Sequence, residues 1–263
     1  SALTNFLKGI RCYQATPKEP RIQRPVLASW GSTRLLDHGL HCQDRPLLVI
    51  PSLVNRAYIL SLSSRHSFLA SLAAQGWRPM VVDWEEPGAA EQAFCTADYV
   101  TQRLEAALSF ACQHNRGQPV PVLGYCMGGV LALALAQRRR LDVKSLVLVA
   151  TPWDFHAAST VAQRQHLLMM QPGLAALAQR HALFMPEVLQ FLLIGGAPMS
   201  VAERFARFGG AGGQDDAGHF ALVEGWLNDG VPIASKAAME CLFSWYVANA
   251  PLCGEWRVDG HSA

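Results

Sequence analysis

Residues 122–137 read VLGYCMGGVLALALAQ. The first three close a short apolar run of the kind that fills a buried strand. The last ten have the apolar content and length of a buried helix. Where they join, Gly124 on one side and Gly128 and Gly129 on the other bracket Cys126. A strand that turns sharply into a helix brings its backbone against the neighbouring strand, and residues without a side chain fit beside such a turn. The spacing Gly-x-Cys-x-Gly therefore predicts that Cys126 is lifted clear of a sheet, at the N-terminus of a helix over Met127–Arg140.

Outward from that turn the chain alternates. Pro46–Pro51, Pro79–Asp83, Val120–Gly124 and Ser145–Ala150 are short continuous apolar runs, as expected of parallel strands covered on both faces. His66–Gln75, stopped by Gly76, and Asp98–Cys112 carry helical spacing. Strand and helix in that rhythm predict an α/β fold with a mostly parallel sheet. From about 156 to 248 the pattern is helical, with GGAPMS and Gly209–Asp216 as punctuation and no clear strand; only Phe191–Ile194 offers a strand alternative. The expected organisation is an N-terminal extension (1–45), an α/β core (46–155), a helical cap insertion (156–248) and a return toward the core (249–263). The core sheet is expected to be incomplete at the C-terminus, which leaves Ser145–Ala150 as an apolar edge prone to association.

Composition narrows the function classes. The 263 residues are 51% hydrophobic and 16% charged, with a net charge of +2, which gives no electrostatic footprint for nucleic acid. Seven cysteines in an odd, unpaired spacing fit neither a disulfide framework nor a zinc site, so a cytoplasmic protein without a metal is expected. Arg138–Arg140 suit a helix C-terminus and its dipole. No histidine in the 156–248 block (His156, His166, His181, His219) has metal-ligand spacing.

The turn carries chemistry. Gly-x-Cys-x-Gly is the thiol version of the Gly-x-Ser-x-Gly nucleophile elbow. A helix N-terminus favours a thiolate and is expected to lower the Cys126 pKa. The Met127 N–H is expected to point where an acyl oxygen becomes negative. A thiol that accepts an acyl group from a thioester keeps it activated, which favours transfer over simple hydrolysis.

Several stretches extend the likeness beyond one motif. PLLVIPSLVNRAYILSL (Pro46–Leu62), GWRPMVVDWEEPG (Gly76–Gly88), PVLGYCMGG with TPWDF (Pro121–Gly129 and Thr151–Phe155), and EGWLNDG through WRVDG (Glu224–Gly260) resemble the poly(3-hydroxyalkanoate) synthases. That family has the α/β-hydrolase fold and polymerises 3-hydroxyacyl-CoA through a cysteine thioester. The resemblance implies that Cys126 is the acyl-carrying nucleophile and that Met127 and Val54 supply the oxyanion-hole N–H groups. Gly124 and Gly128 would be the elbow glycines. It implies a coenzyme A thioester as substrate, no cofactor, a homodimer or a second synthase subunit, and association with a polyester granule. The family's triad acid and histidine follow the segment matched by WRVDG, so His261 does not fit the histidine slot. Asp229 matches a residue of the cap region, with a structural role. The rival readings are a thioesterase, esterase or polyester depolymerase of the same fold, and a non-catalytic homologue that binds acyl groups or granules.

Overall fold

The computed structural model describes residues 2–16, 22–39, 45–157, 159–193, 198–210 and 217–262. After helix α1 (Ala2–Ala15) come β1 (Val26–Trp30), β2 (Thr33–Asp37), β3 (Pro46–Ile50), helix α2 (Phe68–Ala74) and β4 (Arg78–Asp83). Helix α3 (Thr96–Asp98) runs through a π-helical stretch, Tyr99–Leu104, into α4 (Glu105–His114). Then follow β5 (Val120–Tyr125), α5 (Met127–Arg138) and β6 (Val143–Val149).

These strands form one sheet in the order β1-β2-β4-β3-β5-β6. Strands β4, β3, β5 and β6 are parallel neighbours, whereas β1 and β2 join antiparallel. The four apolar runs are thus the parallel part of the sheet. The stretch before Pro46, expected as an extension, also contributes two strands. Their short sequences, the uncharged VLASW and the charged TRLLD, carry little of the continuous apolar signal that marks the central strands. Arg34 of β2 reaches Asp83 of β4 at 2.8 Å, a pairing across 49 residues of sequence.

Burial follows position in the sheet. Every residue of β3 is buried, and α5 is buried along Met127–Ala132 and again at Ala134 and Leu135. Against the opposite end of α4 and α5, Arg138 pairs with Glu105 at 2.7 Å and Arg139 with Asp142 at 2.7 Å. The basic run therefore closes a helix. Beyond β6 the described residues supply no further strand to the sheet, and Val147, Leu148 and Val149 are 46%, 43% and 38% exposed. Burying such residues is worth about 1.5–3 kcal/mol each, so the edge is a site of unspent hydrophobic driving force.

The following block is largely helical: α6 (Val161–Arg180), α7 (Pro186–Leu193), α8 (Pro198–Gly210), α9 (Ala217–Leu227) and α10 (Ser235–Met239), the last continuing into a π-helical stretch, Glu240–Val247. The sequence reading found no strand here, but β7 (Leu183–Phe184) and β8 (Ile233–Ala234) pair antiparallel. Two residues are too few to show a period. The Phe191–Leu193 part of the strand alternative is helix; Ile194 lies outside the described residues, as does most of Gly209–Asp216. Helix α11 (Ala250–Cys253) precedes a hairpin of β9 (Arg257–Val258) and β10 (His261–Ser262). Among the described residues no helix is long and apolar enough to cross a membrane.

Candidate active site

Because β3, β4, β5 and β6 run parallel, their carboxyl ends lie along one edge of the sheet. In open α/β sheets ligands bind outside that edge. Three non-glycine residues with positive φ sit there: Glu85 after β4, Cys126 after β5 and Ala150 after β6. Cys126 has φ 53° and ψ −131°, a conformation that costs on the order of 1–3 kcal/mol and persists only when the surroundings enforce it.

The surroundings do enforce it. The Cys126 N–H donates to the Val149 carbonyl at 2.9 Å, and the neighbouring glycines let the backbones close in. A Cβ on Gly128 would lie 2.2 Å from the Pro51 carbonyl oxygen, and one on Gly124 would lie 2.5 Å from the Gly129 Cα. Gly129, whose role the sequence pattern leaves open, is equally constrained: its Cβ would meet the Thr151 side chain. Strand β5 thus passes through Cys126 directly into α5, with Gly124, Gly128 and Gly129 at the closest backbone approaches.

Cys126 is half-buried. Burial pushes its thiol pKa up, while the Met127 N–H and the Ser52 hydroxyl pull it back without overcoming the burial. This corrects the expectation of a lowered pKa. A helix terminus favours the anion, yet a thiol withdrawn from water loses more by desolvation than these donors return. No charged side chain contributes to the shift.

The expected oxyanion-hole donors fare differently. The Met127 N–H is directed at the Cys126 sulfur. The Val54 N–H approaches the Ser52 Oγ at 3.4 Å, and the Val54 carbonyl accepts from the Val231 N–H at 2.9 Å. Ser52, which the sequence reading does not single out, has its hydroxyl against the sulfur. Only the return of the loop over the strand end puts it there.

The loop after β3 is held by the WLNDG segment. Asn55 forms a bridge with Gly230, the Trp226 indole donates to the Arg56 carbonyl at 2.8 Å, and Arg56 meets Asp229 at 3.3 Å. Asp229 thus clamps the loop from across 173 residues of sequence. Arg56 also contacts Glu85, and Arg34 contacts both Glu85 and Asp83. Burial, together with the neighbouring Glu85 charge, raises the Asp83 pKa, against the pull of Arg34.

The histidines are dispersed. His156 Nε2 lies 2.9 Å from the Val247 carbonyl, and exposed His219 packs on His66 with ring centroids 4.9 Å apart. His166 and His181 are exposed. His261 is exposed on β10, beside Arg138 at the far end of α5. A helix of that length puts it on the order of 18 Å from the elbow. A short strand carries His261, but at the wrong end of the helix for the elbow.

The sequence profile described as alpha/beta hydrolase fold matches residues 45–202, more than half of the chain. The chain belongs to the alpha/beta hydrolase fold family. Within it the chain is similar to the poly(3-hydroxyalkanoate) polymerase subunit PhaC of Haloferax mediterranei, 27% identical over 222 residues, or 82% of this chain and 44% of that protein. The PhaC subunit of Haloarcula marismortui is 26% identical over 83% of this chain and 46% of its own length. That of Cupriavidus necator is 33% identical over 42% of this chain and 20% of its own length. This alpha/beta hydrolase is thus synthase-like, and the chain spans less than half the length of these relatives. Among solved structures, Rv0554 from Mycobacterium tuberculosis is 18% identical, with a TM-score of 0.47, over 79% of this chain and 67% of that one.

Proposed function

We propose that the protein is an acyltransferase that polymerises 3-hydroxyacyl groups from coenzyme A thioesters, with Cys126 as the acyl carrier. The observation that carries this reading is a strained cysteine at the end of β5, on the helix N-terminus that α/β hydrolases use for their nucleophile. Attack by the Cys126 sulfur on the thioester carbonyl forms the Cys126–acyl bond, breaks the carbonyl–sulfur bond to coenzyme A and releases the coenzyme A thiol. One thioester replaces another, so the acyl group stays reactive toward the hydroxyl of the next unit, which returns the thiol and forms an ester.

In this reading the Met127 N–H, which bonds the Cys126 sulfur, supports the charge that develops on the adjoining acyl oxygen. For Val54 to serve as the second donor, its N–H must leave the Ser52 hydroxyl. Raising the thiol pKa by burial makes a base necessary, because little thiolate is present at neutral pH. Among the described residues no basic side chain shifts Cys126, and the reading calls for a base that reaches the sulfur or the incoming hydroxyl when substrate is bound. The same reading assigns a homodimer or a second synthase subunit, a polyester granule as the product phase, a cytoplasmic site and no cofactor.

Incubation with 3-hydroxybutyryl-CoA, followed by intact-mass analysis, tests the reading. A single acyl adduct is expected on Cys126, absent in Cys126→Ala. Continuous coenzyme A release without a retained adduct would place the protein with thioesterases instead. Unchanged release by Cys126→Ala would remove the cysteine from the chemistry altogether.

A further inference from the structure

Between the β1–β2 ribbon, the loop 56–63 and α9 lies a cavity of about 740 Å³. Alternation along β2 puts Arg34, Leu36 and His38 on one face, and all three line the cavity, as do Arg24 and Val26 from the other arm of the ribbon. At the end nearer the sheet's carboxyl edge, Asp83, Glu85 and Asp229 also line it, and each is paired with Arg34 or Arg56. The carboxylates are engaged; the unused arginine atoms are donors, and the unused histidine nitrogen donates or accepts according to its tautomer. The Arg24 Nε, the Arg34 Nε and the His38 Nδ1 are buried atoms without a partner.

The other end is therefore distinctive. Arg24 and His38 sit where the Pro25 carbonyl meets the Asp37 N–H at 2.9 Å, about 13 Å along β2 from Arg34 at 3.3 Å per residue. Asp37, the nearest carboxylate in sequence, is taken up by Arg78 at 2.6 Å. Burial, then the charge of Arg24, pushes the His38 pKa down to about 4, with Asp37 acting the other way. An arginine whose Nε has no partner among the described residues, beside a neutral imidazole, is an arrangement that a bound anion would complete.

We propose that the Arg24–His38 end of this cavity binds a phosphate group, and that the phosphate is carried by the thioester substrate. This rests on the function proposed above. Three strand spacings separate β2 from β5, about 14 Å. Combined with the 13 Å along β2, they put the Cys126 sulfur on the order of 19 Å from the Arg24 end. That span suits an extended phosphopantetheine arm, with sulfur at one end and phosphate at the other. The 52–63 segment links the two places, since Ser52 is at the sulfur and Ser61 and Ser63 line the cavity.

Titration calorimetry on the whole chain carrying Cys126→Ala tests this with coenzyme A, 3′,5′-ADP, pantetheine and inorganic phosphate. Coenzyme A, 3′,5′-ADP and phosphate are expected to bind, and Arg24→Gln to weaken each about tenfold or more, the loss of a charge-assisted hydrogen bond. Arg24→Lys is expected to restore part of that loss, and pantetheine to be insensitive to both changes. Equal affinity for coenzyme A and pantetheine, or indifference to Arg24→Gln with the fold intact by circular dichroism, overturns the site. Arg24-dependent binding of phosphate without binding of coenzyme A keeps the anion site and overturns its link to the thioester. Arg24-dependent coenzyme A binding by a protein whose native Cys126 is never acylated overturns the proposed function and leaves the site standing.

Discussion

Gly128→Ala is the sharpest probe of the elbow. The new Cβ would lie 2.2 Å from the Pro51 oxygen and 2.4 Å from the Ile50 oxygen, whereas ordinary contact begins at 3.4 Å. Relief requires a displacement of about 1 Å, and both neighbours are backbone. The Pro51 carbonyl is also held by the Trp84 indole N–H at 3.2 Å, and Ile50 ends a fully buried strand. Overpacking costs about 1–3 kcal/mol where side chains can give; here nothing flexible is in the way, so about 3 kcal/mol is expected. For a chain of this size, 1 kcal/mol moves Tm by about 2–4 °C, so the midpoint should fall by about 6–12 °C. Two other glycines calibrate the experiment. Gly173, in α6, has open space around it, and Gly173→Ala should raise stability by about 0.5–1 kcal/mol through helix propensity. Gly76 is also unobstructed but has φ +83°, so Gly76→Ala should cost about 1–2 kcal/mol from backbone strain alone. Differential scanning calorimetry on the three variants gives the order directly. If Gly128→Ala melts no lower than Gly76→Ala, the close approach of α5 to β3 is wrong.

The Cys126 thiol, raised by burial and pulled back by Met127 and Ser52, should be mostly protonated at pH 7. Its rate of alkylation by iodoacetamide should climb with pH to a midpoint above the ordinary value of about 8.5, and Ser52→Ala should move the midpoint further up; a midpoint below that value would contradict the burial argument. At the open edge of the sheet, Val147→Lys should reduce concentration-dependent association in sedimentation velocity, because a charged residue blunts an apolar strand edge. An association unchanged by that substitution would place the contact elsewhere.

Local sequence was enough for the elbow. Apolar run, glycine spacing and helix around Cys126 each act within a few residues, where period and steric need are written in neighbouring positions. The same holds for the parallel strands, whose continuous apolar character reports that both faces are covered. The edge strand β1 and its neighbour β2 lacked that mark, since a half-covered ribbon with charged residues in β2 reads as loop. Tertiary structure alone decided the rest. Ser52 meets the sulfur, Asp229 clamps Arg56 from across 173 residues, and the Arg24 Nε has no partner among the described residues of its cavity, because chain segments far apart in sequence are folded against each other. Burial likewise reversed the expected pKa of Cys126: a helix terminus is visible in the sequence, whereas the water removed from around a sulfur depends on everything packed over it.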